Sequence, residues 1–156
     1  MTQHVAVETP MGTMRIESSE LGISAVLWPL QAPSGPEDMT PSPLLEEAAA
    51  QLRAYFSGQL KVFDLPLQPE GTEFQQRVWQ ELKKIPWGAT TTYGEIARAL
   101  RSPKSARAVG AAIGRNPLSI IVPCHRVIGR DGSLTGFAGG LERKSWLLNL
   151  EQEHAP

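Results

Sequence analysis

A proline-rich connector, Leu65-Pro66-Leu67-Gln68-Pro69-Glu70-Gly71, divides this 156-residue chain into two stretches of different hydrophobic period and opposite charge. Prolines three residues apart, Pro66 and Pro69, deny the segment a continuous helix or a central strand. Before it, Val5-Ala6-Val7, Met14-Arg15-Ile16 and Ile23-Ser24-Ala25-Val26-Leu27-Trp28 read as strands. Turn signals at Thr9-Pro10-Met11-Gly12 and Glu20-Leu21-Gly22 separate them, which predicts a small antiparallel meander. Residues 29–43, rich in proline, glycine, serine and acid, read as a loop. A helix is predicted from Pro43 to Phe56, with Leu44, Leu45, Ala48, Leu52 and Phe56 on one face and Gly58 beyond its end.

After the connector the pattern turns helical. Thr72 with Gln75 three residues on has the form of a capping box. Phe74, Val78 and Leu82 form an apolar stripe with Trp79 beside it, and Pro86-Trp87-Gly88 stops the helix. A short helix Gly94–Leu100 leads through Arg101-Ser102-Pro103 into a second, Lys104–Gly114. The pair has the layout of a helix-turn-helix, although any two packed helices produce a similar pattern. A last helix, Leu141–Leu150, is expected to turn Trp146, Leu147 and Leu150 inward. The fold class expected is α+β: an ancillary sheet-and-helix domain over residues 1–70, then a mainly helical domain over 71–156.

Net charge is −1, which by itself argues against a nucleic-acid partner, but the distribution argues the other way. Residues 1–70 carry nine acidic groups and three basic ones; residues 71–156 carry seven acidic and twelve basic. The second half is the one expected to meet a polyanion; incidental solubility charge is the alternative. No apolar run approaches a membrane span, and Met1 to Glu8 lack a basic region followed by an apolar one. A cytoplasmic protein with no membrane partner is expected.

Cys124 is the only cysteine, so it forms no intramolecular disulfide and is a poor basis for a structural zinc site. It is either an inert core thiol or an activated one. It ends the apolar run Ile120-Ile121-Val122-Pro123 and is followed by His125 and Arg126, whose imidazole and guanidinium would favour the thiolate. The helix Ser105–Gly114 is unusual in another way. Arg107 is its single large polar residue among Ala106, Ala108, Val109, Gly110, Ala111, Ala112 and Ile113. A major-groove reader displays long polar side chains; a smooth face with one arginine suits the narrow minor groove. A close-packed core helix is the alternative.

Pro123-Cys124-His125-Arg126-Val127, with Asn116-Pro117 before it and Gly136-Phe137-Ala138-Gly139-Gly140 after it, resembles the alkylguanine-DNA alkyltransferases, also called methylated-DNA–protein-cysteine methyltransferases. The resemblance runs from about Thr72 to Glu151 and includes Tyr93 and Arg107. It implies DNA repair by direct reversal, with the alkyl group of O(6)-alkylguanine, and of O(4)-alkylthymine, passing to Cys124. His125 would take the thiol proton through water, and Glu151 would orient that histidine. Tyr93 would bond the base ring and can supply a proton. The backbone amide near Ala138 would face O(6), and the carbonyls of Cys124 and Val127 would accept from the exocyclic amine. Asn116 would tie the helix-turn-helix to the active-site loop. Arg107 would fill the stack vacated by a flipped base, on a minor-groove surface that includes Ala106, Ala108, Gly110 and Arg115. The resemblance also implies a ribonuclease H-like fold for residues 1–70 and a winged-helix-like one for the second half.

A core histidine, a surface carboxylate and a packed tyrosine are the structural alternatives for His125, Glu151 and Tyr93. Arg126 stands between a structural salt bridge and a DNA contact. Phe137 replaces the tyrosine of many relatives and Ala138 the serine of some, so ring stacking and the backbone donor survive while hydroxyls are lost. No metal and no cofactor are expected, and the protein is expected to be a monomer. A thioether offers no route back to the thiolate, so transfer consumes the protein. A non-catalytic lesion-binding relative is the alternative function, but that group typically replaces the cysteine.

Overall fold

The computed structural model describes residues 3–31, 41–102 and 105–154. The chain forms two compact units, Met1–Glu70 and Gly71–Pro156. Its class is α+β, a small antiparallel sheet followed by a mainly helical second unit.

In the first unit, β1 (Gln3–Thr9), β2 (Gly12–Ser19) and β3 (Gly22–Leu27) pair antiparallel in chain order. Val5 lies opposite Ile16, and Arg15 opposite Leu27. Along β2, Met14, Ile16 and Ser18 are buried while Thr13 is exposed and Arg15, Glu17 and Ser19 are half-exposed, the period of two that a one-sided sheet requires. Helix α1 (Pro43–Phe56) covers that sheet. Ser42 caps it by accepting a hydrogen bond from the Leu45 backbone N–H. Its inward face is Leu45, Ala48, Ala49, Leu52, Tyr55 and Phe56; Leu44 is only half-buried. Of the expected 29–43 loop, residues 32–40 lie outside the described residues.

The connector is more than a spacer. Pro66 accepts a hydrogen bond from the Ile23 N–H at 2.8 Å, and Gln68 donates to the Ile23 carbonyl at 2.7 Å. The segment thus runs parallel to β3 and closes part of its open edge. Proline lacks a donor, yet its carbonyl still serves such a contact. Just before it, Gln51 of α1 exchanges two hydrogen bonds with the Asp64 backbone, and the Phe63 ring stacks on Tyr55 at 5.7 Å.

In the second unit, both hydrogen bonds of the Thr72/Gln75 capping box form at the start of α2 (Glu73–Leu82). Val78, Trp79 and Leu82 are buried and Phe74 is half-buried. Trp79 donates its indole N–H to the Ala112 carbonyl at 2.9 Å, tying α2 to α4. A two-residue strand β4 (Thr91–Thr92) precedes α3 (Tyr93–Ala99), which Thr92 caps. Helix α3 ends in a Schellman motif: Ser102 donates to the Ala97 carbonyl and Arg101 to that of Arg98, with Arg101 at φ 60°. Helix α4 (Ala106–Gly114) packs against α2 and α3. It starts at Ala106 rather than at the expected Lys104, which with Pro103 lies outside the described residues.

Strand β5 (Val127–Ile128) pairs parallel with β4, Thr91 opposite Val127. Two-residue strands carry no periodicity, so sequence reasoning did not anticipate this pair. Helix α5 (Leu141–Glu153) runs three residues past its expected end at Leu150. Leu147 and Leu150 are buried as expected, but Trp146 is half-buried, and Lys144 and Glu151 take inward positions. Positions 144, 147 and 151 lie three and four apart, on one helix face.

Gly22 lets β3 and the connector approach. A Cβ there would stand 2.6 Å from the Pro66 carbonyl oxygen, a backbone atom that cannot swing away. Gly22→Ala is therefore expected to destabilise the first unit by about 2 kcal/mol. Urea unfolding would show a lowered midpoint; a parent-like midpoint would mean that the edge contact yields without strain.

Candidate active site

Between α4 and Cys124 the chain runs through a loop whose apolar residues Leu118, Ile120 and Val122 are buried. Asn116, itself buried, holds this loop from both sides. Its Nδ2 donates to the Val122 carbonyl at 2.9 Å, and its Oδ1 accepts from the Leu118 N–H at 2.9 Å. Ile120 sits at φ 74°, where a β-branched residue carries on the order of 1–3 kcal/mol of strain. Burial of its side chain and the Asn116 clamp hold it there. Pro123 then leads into a single 3-10 turn, Cys124–Arg126, which places three consecutive side chains in the interior.

Cys124 is 7% exposed. Burial pushes its thiol above the usual value, while the Asn116 side chain and the Lys144 charge pull in the other direction. The adjacent imidazole and guanidinium, which in the sequence would favour the thiolate, do not offset that burial. Desolvation dominates, and the Arg126 guanidinium is committed elsewhere.

That commitment is to Glu151. Arg126 Nε donates to Oε1 at 2.8 Å and Nη2 to Oε2 at 2.9 Å, a two-pronged pair inside the protein, while Nη1 donates to the Ile85 carbonyl at 2.6 Å. Arg126 therefore forms a structural salt bridge. His125 Nε2 meets Glu151 Oε2 at 2.6 Å, and the Gly88 N–H reaches Oε1 at 3.4 Å. Burial by itself raises the Glu151 pKa; hydrogen bonds from His125 and Arg126 overcome it and bring the carboxyl to about 2. His125 is held below its usual value, burial outweighing the pull of Glu151. An ionised Glu151 beside a neutral His125 accepts from Nε2–H, so the Nδ1 lone pair is the basic one.

Lys144, 1% exposed, belongs to the site and was missed in the sequence. Its Nζ donates to the carbonyls of Val127 at 2.7 Å and Thr135 at 3.0 Å. Burial lowers its pKa and the Cys124 thiolate opposes that shift. Thr135 was missed as well: its hydroxyl lies 2.7 Å from that of Tyr93. The signal available for Lys144 was its spacing from Leu147 and Glu151; a lysine at an apolar register reads as solvated by default.

The structure thus gathers Cys124, His125, Glu151 and Asn116 in one buried cluster and sets Tyr93 against the loop that carries Thr135. Val127 is buried, Phe137 half-buried and Ala138 exposed. On α4, Val109, Ala112 and Ile113 face the core, whereas Ala106, Arg107, Ala108, Ala111 and Gly114 are exposed, with Arg115 just past the end. Gly110 is half-exposed. The outward face is therefore the smooth one, and Arg107 stands on it. Among the described residues, no group of three or more His, Cys, Asp and Glu side chains is gathered as a metal ion would need.

Removing one partner of a buried pair strands the other's charge. Arg126→Met is expected to destabilise the second unit by about 3–5 kcal/mol. Adding Glu151→Gln should recover part of the loss, because a neutral amide needs no counter-charge. A double variant as unstable as the sum of the single ones, measured by urea unfolding, would mean that the two side chains act independently.

Comparison with known proteins bears on what this cluster does. Residues 73–153 match the family model of the 6-O-methylguanine DNA methyltransferase DNA binding domain, and residues 4–69 that of the ribonuclease-like domain of 6-O-methylguanine DNA methyltransferase. The methylated-DNA–protein-cysteine methyltransferase of Methanosarcina barkeri is 48% identical over 151 residues, spanning 95% of this chain and 96% of that protein. Its counterpart in Methanosarcina acetivorans is 63% identical over 105 residues, 67% of each chain. The crystal structure of Mycobacterium tuberculosis OGT in complex with DNA superposes with a TM-score of 0.89 at 44% identity, covering 99% of this chain and 95% of that one. With matches to both domains and full-length likeness in sequence and fold, the chain belongs to the 6-O-methylguanine DNA methyltransferase family.

Proposed function

We propose that this protein repairs DNA by transferring the alkyl group of O(6)-alkylguanine, and of O(4)-alkylthymine, to Cys124. The observation that carries the reading is the buried cluster itself. A buried thiol, on the loop that Asn116 clamps, stands next in sequence to a histidine whose Nε2 is fixed 2.6 Å from a carboxylate. In the reaction the thiol proton passes through a bridging water to His125 Nδ1. The sulfur attacks the alkyl carbon in line as the carbon–O(6) bond breaks, and its electron pair leaves on the guanine. Tyr93 donates to the base ring and supplies a proton to it; the imidazolium proton returns to solvent. The backbone amide near Ala138 faces O(6), and the Val127 carbonyl, with a second lone pair beyond the Lys144 contact, accepts from the exocyclic amine. Glu151, kept ionised, stabilises the imidazolium as it forms.

Burial raises the thiol pKa, so a base that takes the proton as the sulfur attacks lowers the cost of the step. The product is a thioether, and the cluster contains no second nucleophile to cleave it. Each molecule reacts once. No diffusible cofactor takes part, the protein acts as a monomer, and a free thiol of this kind suits the reducing cytoplasm. Residues 71–156 carry the chemistry and the DNA contact, with residues 1–70 as an ancillary domain. An intact Cys124 disfavours a lesion-binding protein without transfer.

The alkylated atom lies within the base pair, so the nucleotide has to leave the stack to reach a buried thiol. The exposed small side chains of α4 fit a minor groove, and Arg107 on the same face fills the vacated space. Reading of base edges is not required when the lesion itself is sought.

Incubation with duplex DNA carrying O(6)-methylguanine should add one methyl mass to the protein, located on Cys124, with no more than one lesion repaired per molecule. Cys124→Ser should keep DNA binding and gain no mass. Repeated turnover, or a label on another residue, would rule out the mechanism.

Arg107→Ala tests the flipping step separately from the chemistry. Repair of the methylated duplex should slow by about 10- to 100-fold, the equivalent of a few kcal/mol of extrusion cost. Reaction with the free alkylguanine base, which needs no extrusion, should keep the parent rate. Placing the lesion opposite an abasic site should restore part of the loss. Equal slowing on free base and duplex would assign Arg107 a structural role instead.

A further inference from the structure

We propose that Thr135 is a positioning residue for alkyl transfer: its hydroxyl sets the direction of the Tyr93 phenol that meets the flipped base. The inference rests on the reading of Tyr93 as the base-ring donor given above. Its own support is a chain of contacts that ends at the Tyr93 hydroxyl. Lys144, buried on α5, donates to the Val127 carbonyl beside the active-site turn and to the Thr135 carbonyl. Thr135 is thereby fixed through its backbone, and its Oγ1 lies 2.7 Å from the Tyr93 hydroxyl. On the other side, the Tyr93 ring passes beside Gly110 of α4, where a Cβ would stand 3.7 Å from the ring. The phenol therefore has α4 beside its ring and Thr135 at its tip.

A phenolic O–H rotates about its C–O bond and points to whichever acceptor is offered. A threonine hydroxyl both donates and accepts. In the free protein, either oxygen of this pair can be the donor. Once a base occupies the pocket, the productive arrangement is Thr135 O–H donating to the phenolic oxygen and Tyr93 O–H donating to the base ring. In that arrangement one bond polarises the next. The step moves one proton, from the phenol to the guanine ring, as the carbon–O(6) electron pair arrives on the guanine. The charge left on the phenol oxygen is met by the Thr135 hydrogen bond, and the phenol regains its proton from solvent. A residue without a hydroxyl at position 135 would leave the Tyr93 O–H with a free choice of direction and the developing charge with one donor fewer.

Single-turnover repair of O(6)-methylguanine duplex would be measured for Thr135→Val, Thr135→Ser, Tyr93→Phe and the double variant Tyr93→Phe/Thr135→Val. Iodoacetamide labelling of Cys124, which involves no base, serves as the control. Thr135→Val keeps the shape and loses the hydroxyl. It should slow repair by about 5- to 10-fold, the scale of one part-buried hydrogen bond, and leave labelling at the parent rate. Thr135→Ser should repair at close to the parent rate. In the Tyr93→Phe background, adding Thr135→Val should change little, because the hydroxyl it serves is already gone. A slow Tyr93→Phe together with a parent-like Thr135→Val would overturn this inference alone. Equal slowing by Thr135→Val with and without the Tyr93 hydroxyl would overturn it too, as would slowed iodoacetamide labelling. A Tyr93→Phe variant at the parent rate would overturn the reading of Tyr93, and the role of Thr135 with it.

Discussion

The Glu151 carboxylate is the interaction on which the second unit depends. A charge this deep is tolerated only when it is paired and hydrogen-bonded. Arg126 occupies both oxygens, and His125 shares one of them. Three features follow from that one pairing. The C-terminal helix is anchored to the turn that carries Cys124. Arg126, reaching on to the Ile85 carbonyl, ties the same turn to the chain that follows α2. And His125 is held below its usual pKa, chiefly by its own burial, with the Arg126 guanidinium on the same carboxylate adding to that shift.

The other half of the site is built from backbone carbonyls and one buried ammonium. Lys144 faces no carboxylate among its hydrogen bonds; it is held by the carbonyls of Val127 and Thr135. Its charge acts on Cys124, favouring the thiolate, and a thiolate in turn favours the ammonium. A protonated thiol at rest and a cation waiting close by suit a nucleophile that should form only when a substrate is present. The strained Ile120 and the Asn116 clamp keep this arrangement from relaxing, since the loop cannot shift without losing both Asn116 hydrogen bonds.

Helix α4 shows how one short segment meets two demands. Its inward residues Val109, Ala112 and Ile113 seal the unit, and Ala112 also receives the Trp79 hydrogen bond. The outward face then has little beyond Cβ atoms and Arg107. Close approach to another surface and a single long probe are both available, without any side chain long enough to read base edges.

Much of this was legible in the chain. The meander, the α1 boundaries, the capping box and the two paired helices follow from local chemistry: periodicity, caps and turn residues act over a few positions, and so they can be read over a few positions. The charge split and the single cysteine were equally plain, and the residues around Cys124 pointed to the family before any coordinates. What a linear reading misjudged were properties of the folded environment. Adjacency of Cys124 to His125 and Arg126 suggested a thiolate, but the pKa depends on desolvation and on where the guanidinium turns, and both are set by α5 arriving from 25 residues away. Lys144 and Thr135 looked like a solvated lysine and a loop threonine. Only tertiary packing made one a buried cation and the other the partner of the Tyr93 hydroxyl, because burial and hydrogen-bond partners belong to surfaces that meet in space, not to residues in sequence.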